Sequence, residues 1–307
     1  MGEFQASFES GYPIRFTEEE KRTAEKALLA GIRKMGYEAE LEKGGRSGHH
    51  WIRVGDAEHA PILLCAHYDT PSRKILPNLQ MPGNLPMGFL WQVFSAVVYM
   101  LPAFLLMFAA LLLGLKARLA LGLFVVTYGL ILYALRQGRP NRNNRNAVSG
   151  LDTVLTVLER VPEEMRKRVA CVLTDDGEKG RMSSRLYAQA HPEVQYTRLC
   201  VNLSYTGRGK TLTLIRPPLA AKCTGYGKLL HTLEGMEGFT VREADSRWHF
   251  GPTDRGRFRC GCEVMAADKK PLCLLVPALH TPGDTVRDEK NVEAVARALT
   301  EVIQGLG

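Results

Sequence analysis

Three short stretches of this chain carry side chains able to do polar chemistry together: His67-Tyr68-Asp69, Asp175-Asp176-Gly177-Glu178 and His280-Thr281-Pro282-Gly283-Asp284. Imidazole nitrogens and carboxylate oxygens are the donors that a zinc ion takes, and an aspartate beside a histidine can hold the ring in one tautomer. A further carboxylate next to a metal-bound water can serve as general base. Acid is nevertheless scarce where such a site would need it. No Asp or Glu lies between Asp69 and Asp152, and none between Glu193 and Glu234, so those segments offer no carboxylate ligand.

The elements that must position these residues read as alternating helix and strand. Thr17-Glu18-Glu19-Glu20 is an N-cap with an acidic first turn, and Ala24, Leu28, Leu29, Ile32 and Met35 follow at helical spacing as far as Gly36. Short strands are expected over 38–42 and 51–54, and the apolar run 61–66 reads as a central strand buried on both faces that ends at His67. Helices over 149–158, 183–190, 226–233 and 292–303 alternate with strands over 169–173, 199–203, 211–215 and 272–276. This alternation predicts an α/β fold with a mixed, mostly parallel sheet and helices on both faces. Polar residues just past the strand C-termini form the site in such sheets, and His67, residues 175–178, Ser204 and His280 all hold that place.

On these motifs, together with Ser149-Gly150 at the start of a helix, the chain resembles metallopeptidase family 28 over residues 15–73 and 141–300. These are aminopeptidases with two co-catalytic zinc ions on a phosphorylase-like α/β fold. The resemblance implies that His67 and His280 are zinc ligands, that Asp69 orients His67, and that Glu178 is a ligand of the second zinc. It also marks what is missing. The carboxylate that would bridge both metals falls on Asn146, or on Arg145 if the turn has one extra residue; an amide offers one neutral oxygen and cannot bridge two dications in the same way. The general base falls on Gly177, which can neither take nor give a proton, with Asp176 or Asp175 as the substitute. The remaining aspartate ligand falls in Val201-Asn202-Leu203-Ser204, where a neutral hydroxyl is a poor donor to zinc. The cofactor expected is therefore zinc, with at most one ion, held by Glu178, His280 and the oxygen of Asn146. Asp254 lies where the family builds its substrate pocket, and equally fits a cap in the turn Gly251-Pro252. The function implied is aminopeptidase-class hydrolysis with an incomplete site; the alternative is a non-catalytic binder of peptides or another partner.

Other chemistries find less support. Ser149 and Ser204 lack a Gly-x-Ser-x-Gly elbow, and Gly207-Arg208-Gly209-Lys210-Thr211 lacks the first glycine and the following helix of a phosphate loop. His49, His50, His59, His191, His231 and His249 show no partner spacing and are expected on surfaces or loops. The seven scattered cysteines read as reduced, mostly buried thiols. The net charge of +8 is not arranged as a nucleic-acid surface. Its densest run, Arg136, Arg139, Arg142 and Arg145, follows an apolar segment and fits anionic lipid instead.

That apolar segment predicts a membrane hairpin over residues 84–136, inserted into one discontinuous domain formed by 1–73 and 141–307. Residues 87–115 carry no charge and are long enough to span a bilayer despite Pro102, and 119–135 form a shorter second span flanked by Arg118 and Arg136. Neither span holds an ionisable residue in its apolar core, which argues against a transport path. Residues 1–14 have acidic groups and no continuous apolar core, so they do not read as a secretory signal. With Arg73, Lys74 and the arginine run on the domain side of the hairpin, the soluble part is expected on the cytoplasmic face. The expected partners are a peptide or small-molecule ligand and membrane lipid.

Overall fold

The computed structural model describes residues 2–44, 48–175, 182–196, 199–216, 219–250, 256, 258–277 and 279–306. The chain opens with α1 (Glu3–Gly11) and α2 (Glu18–Lys34). At the start of α2 the Thr17 hydroxyl accepts from Glu20 N and the Glu20 carboxylate accepts from Thr17 N, a reciprocal cap that satisfies two backbone donors. Ala24, Leu28 and Ile32 recur on one face of α2 and are fully buried, as their spacing predicts.

Eight strands form one path, with a ninth at its side. They are β1 (Ala39–Lys43), β2 (His50–Val54), β3 (Ile62–His67), β4 (Val169–Thr174), β5 (Leu199–Leu203), β6 (Thr211–Arg216), β7 (Thr240–Asp245), β8 (Gly261–Lys269) and β9 (Leu274–Leu275). The order is β1-β2-β4-β3-β5-β8-β6-β7, with β9 on β8. The central strands β4, β3, β5 and β8 are mutually parallel, whereas β2 and β6 join them antiparallel. β3 is buried at every position because both of its faces are covered, which is why its sequence shows no alternation. Ile62 and Leu64 join Leu28, Leu155 of α5 (Ser149–Arg160) and Leu299 of α8 (Glu289–Gly305) in one core. Leu229 of α7 (Thr224–Glu234) belongs to the same core. Leu63 and Cys65 face the other side, with Trp51 and with Tyr187 of α6 (Met182–Ala190). All seven cysteines are thiols, and the sulfurs of Cys65 and Cys200 lie 3.6 Å apart.

Four elements differ from the sequence reading. α1 is a helix where none was expected, held by Phe4 N on Glu159 Oε1 and Gln5 Nε2 on Asp152 Oδ1. β7 and β8 were also unread, whereas the strand expected over 272–276 is reduced to Leu274–Leu275.

Between β3 and α5 run two apolar helices, α3 (Leu85–Leu112) and α4 (Ala117–Gln137). Both are long and apolar enough to cross a membrane. They are not core helices: in α3 only Gly88 and Ala103 are buried, and the phenylalanines and leucines along it face outward.

One buried ion pair links α2 to the central sheet. Lys21 Nζ lies 2.7 Å from Asp175 Oδ1, just past β4, with both side chains 2% exposed. Removing one member of such a pair leaves a desolvated charge behind. Lys21→Met is expected to destabilise the fold by about 3–5 kcal/mol, and adding Asp175→Leu should recover most of that loss. Thermal unfolding of the purified protein and both variants checks this.

Candidate functional site

The register of the parallel strands brings the polar residues into line. In β3 and β4, His67 stands opposite Thr174, and in β3 and β5, Cys65 stands opposite Asn202. The next residues, Tyr68, Asp175 and Ser204, therefore leave the sheet together at its C-terminal edge. Ser149-Gly150 closes that edge from above. A Cβ on Gly150 would sit 2.0 Å from the Leu203 carbonyl oxygen, so only glycine lets α5 press on the end of β5. The Ser149 hydroxyl donates to the Asn146 carbonyl at 2.6 Å and accepts from Gly207 N at 2.9 Å, which makes it a structural clamp.

His280 reaches the same edge from the loop before α8. Its φ of 60° is left-handed, a conformation that costs a non-glycine residue on the order of 1 kcal/mol or more and persists only where its surroundings impose it. Those surroundings are visible. Asp284 accepts from Asn146 N at 2.7 Å and Ala147 N at 3.1 Å, the His280 carbonyl accepts from Lys74 N at 2.9 Å, and Asn141 Nδ2 donates to the Thr281 carbonyl at 3.0 Å. The fold thus places His67, Asp69, Asn146, Ser204 and His280 at one end of the sheet, all of them buried. Asp176, Glu178 and Asp254 lie outside the described residues.

Among the described residues, the acids near this edge are already engaged. Asp175 is held by Lys21, which removes it from the role of substitute base. Asp69 is buried and faces the guanidinium of Arg15; burial lowers the pKa of Arg15, and the charges of Asp152 and Asp69 oppose that shift. Arg15 also donates through Nε to the Tyr68 carbonyl, and its backbone exchanges hydrogen bonds with Thr70 at 2.8 and 2.9 Å. It therefore braces the His67-Tyr68-Asp69 turn from behind. Tyr68 turns to the opposite face and donates to Glu25 Oε1 at 2.6 Å; burial, Asp175 and Glu25 raise its pKa, so it stays a protonated donor.

One acid was missed by the sequence reading. In the β5–β8 register Asn202 stands opposite Glu263, and the buried Glu263 carboxylate accepts from Ser204 Oγ at 2.6 Å and from Asn202 Nδ2 at 3.3 Å. A carboxylate thus stands beside Ser204 although the β5 segment itself supplies none. The available signal was a lone glutamate within the apolar run Gly261–Lys269. Of the histidines expected on surfaces or loops, His50 lies instead within β2, whereas His191 and His249 do lie between elements. His50 and His249 are buried, the former 3.4 Å from Glu25 Oε1, and His191 Nε2 contacts Glu42 Oε2 at 2.7 Å.

The Asn146 side chain is fully buried, and neither its oxygen nor its nitrogen has a hydrogen-bond partner among the described residues. That orphaned amide is an available neutral donor, but it cannot balance two dications. Among the described residues, one set of three carboxylate or imidazole groups lies within 4.8 Å of one another: Glu58, His191 and Glu193. Glu58 precedes β3 and His191 follows α6, so the set belongs to the opposite, N-terminal edge of the sheet. The described residues therefore do not fit a zinc pair at the strand C-termini.

Burial pushes the Asp284 carboxyl up to about 6 from 3.8, against the two amide hydrogen bonds and the charges of His280 and Arg208. A raised carboxyl pKa means that the folded state holds the proton more tightly than the unfolded chain. The stability that this group contributes is full below pH 3.8 and is lost as pH rises through about 6. Denaturant unfolding of wild type and Asp284→Asn across that window should show wild type losing about 2–3 kcal/mol more than the variant.

No protein-family model matches the sequence, and no curated protein matches it. Solved structures share its architecture. A Zn-dependent exopeptidase from Parabacteroides distasonis superposes with a TM-score of 0.60 at 11% identity, covering 98% of this chain and 96% of that one. A Bacteroides thetaiotaomicron glutaminyl cyclase gives 0.58 at 12%, covering 99% and 96%. A leucine aminopeptidase precursor from the same organism gives 0.55 at 13%, covering 99% and 94%. At these identities the likeness is one of fold: the chain has the mixed α/β, aminopeptidase-like architecture.

Proposed function

We propose that this protein is a membrane-anchored relative, by fold, of the zinc aminopeptidases, and that its site binds peptide chain ends without a zinc pair. The anchor is the hairpin of α3 and α4, inserted into one domain built from residues 1–73 and 141–307. The observation that carries the reduced site is Asn146, a buried amide with no hydrogen-bond partner among the described residues, where the resemblance requires a bridging carboxylate. Ser204 supports the same reading, because its hydroxyl is already committed to Glu263. A peptide as ligand is supported by structural neighbours named as exopeptidases and aminopeptidases.

The Zn-dependent neighbour suggests zinc as the metal, and this chain would hold one ion at most, through His280 and Glu178 with the Asn146 oxygen. When bound, such an ion would polarise a carbonyl group of the ligand. The chain's own residues would hold His67 through Asp69 and Arg15 and fix His280 through the Asp284 turn. With glycine at position 177 and Asp175 paired to Lys21, hydrolysis by an activated water lacks its base, which favours binding over cleavage. The arginines on the domain side of the hairpin favour the cytoplasmic face for the soluble domain.

Metal analysis of the purified full-length protein, combined with an aminopeptidase assay in added zinc, tests this reading. The expected result is one zinc or fewer per chain and no turnover, with Asn146→Asp increasing zinc retention in calorimetric titration. Two bound ions together with turnover in wild type would refute it. For topology, a C-terminal reporter should signal the cytoplasmic side.

A further inference from the structure

The hairpin leaves and re-enters the domain at the edge where the candidate residues gather. Arg73 N donates to the Arg139 carbonyl at 2.8 Å and Asn141 N to the Pro71 carbonyl at 2.9 Å, so the two roots of the hairpin pair with each other. Lys74 N donates to the His280 carbonyl at 2.9 Å, and Asn143 Nδ2 donates to the Pro282 carbonyl at 2.6 Å. Hairpin roots and the His280 loop form one hydrogen-bonded unit.

The two helices differ in length. α3, with 28 residues, runs about 42 Å, and α4, with 21, about 31 Å, close to the thickness of a bilayer's hydrocarbon core. Because the turn over 113–116 joins them at one tip, the excess falls on the first two turns of α3. Those turns meet the soluble domain: Phe89 lies 6.2 Å from Phe250 ring to ring, and Trp91 Nε1 donates to the Pro77 carbonyl at 3.2 Å. Further along, Leu76 N donates to the Tyr99 hydroxyl at 3.3 Å, a protein partner for an amide that lipid could not satisfy. Around this base three side chains from separate loops point outward: Ile75 is 82% exposed, Trp248 57% and Leu272 76%. Arg73, Arg139, Arg142, Lys269 and Lys270 are exposed beside them. Apolar tips ringed by cations match an anionic bilayer surface and continue the surface of the hairpin itself.

We propose that this edge of the domain is a second membrane contact, with Ile75, Trp248 and Leu272 seated in the lipid interface, so that the candidate site takes peptide ends held at the bilayer surface rather than from bulk solvent. The proposal rests on the membrane-anchor reading above. Because tethering to the same surface replaces bulk encounter by a high effective concentration, a lipid-tethered ligand gains apparent affinity without any new contact.

Full-length protein carrying Trp91→Phe, reconstituted in phosphatidylcholine–phosphatidylglycerol vesicles with brominated acyl chains, provides the test. Trp51 is buried, so the quenchable signal is that of Trp248. Expected is a fall of about twofold in Trp248 emission relative to unbrominated vesicles, lost in Ile75→Asp/Leu272→Asp. A peptide with a free N-terminus, tethered to lipid by its C-terminus, should bind at least about tenfold more tightly than the same peptide in solution. Resistance to alkaline carbonate extraction reports the hairpin separately. Extraction-resistant protein with unquenched Trp248 would overturn this proposal while leaving the anchor intact, and protein released by carbonate would overturn both. Quenching with equal affinity for tethered and free peptide would overturn the assignment of the ligand.

Discussion

The arrangement at the strand ends depends on one buried carboxylate. Asp284 receives the backbone N–H groups of both Asn146 and Ala147, and through them the start of α5, the returning root of the hairpin and the His280 turn are held as a single body. The left-handed backbone of His280 is sustained by this tie together with the Lys74 contact to its carbonyl. Burial makes the carboxyl costly to ionise, and its two amide hydrogen bonds return part of that cost.

Among the described residues, the acids at this edge are engaged within the protein. In a two-zinc centre, acids gather because dications neutralise them. Here Lys21 neutralises Asp175, Arg15 faces Asp69, and Glu263 takes neutral donors from Ser204 and Asn202. The resemblance puts an amide, Asn146, at the bridging position and a hydroxyl, Ser204, at that of a further ligand. On the reading proposed above, the same sheet geometry supports a site of lower charge, in which hydrogen bonding rather than electrostatic attraction to metal does the holding.

Much of this was legible in the sequence. The capping box at Thr17, the uncharged run into His67, the Ser149-Gly150 helix start and the two long apolar helices are local signals, and local physics decides them. What escaped reading was decided by long-range pairing. Glu263 became a neighbour of Ser204 only because β8 lies beside β5, an adjacency that neither segment encodes alone. Arg15 and Lys21 look like ordinary cations near the start of the chain, and only the packing of α2 and the residues before it against the strand ends buries them. β7 was missed because Thr240–Asp245 has the polar composition of an edge strand, with no apolar alternation to announce it.

The position of the hairpin also governs how the molecule can be made. β3 lies between β4 and β5 in the sheet, yet roughly 100 residues, including both apolar helices, separate it from β4 along the chain. On the membrane-anchor reading proposed above, β3 waits unpaired until those helices have left water, since an open strand beside exposed leucines invites aggregation. On that reading, nucleation of the sheet is subordinate to insertion, and a ribosome feeding this chain would have to deliver the hairpin to its lipid destination before the domain on either side of it could close.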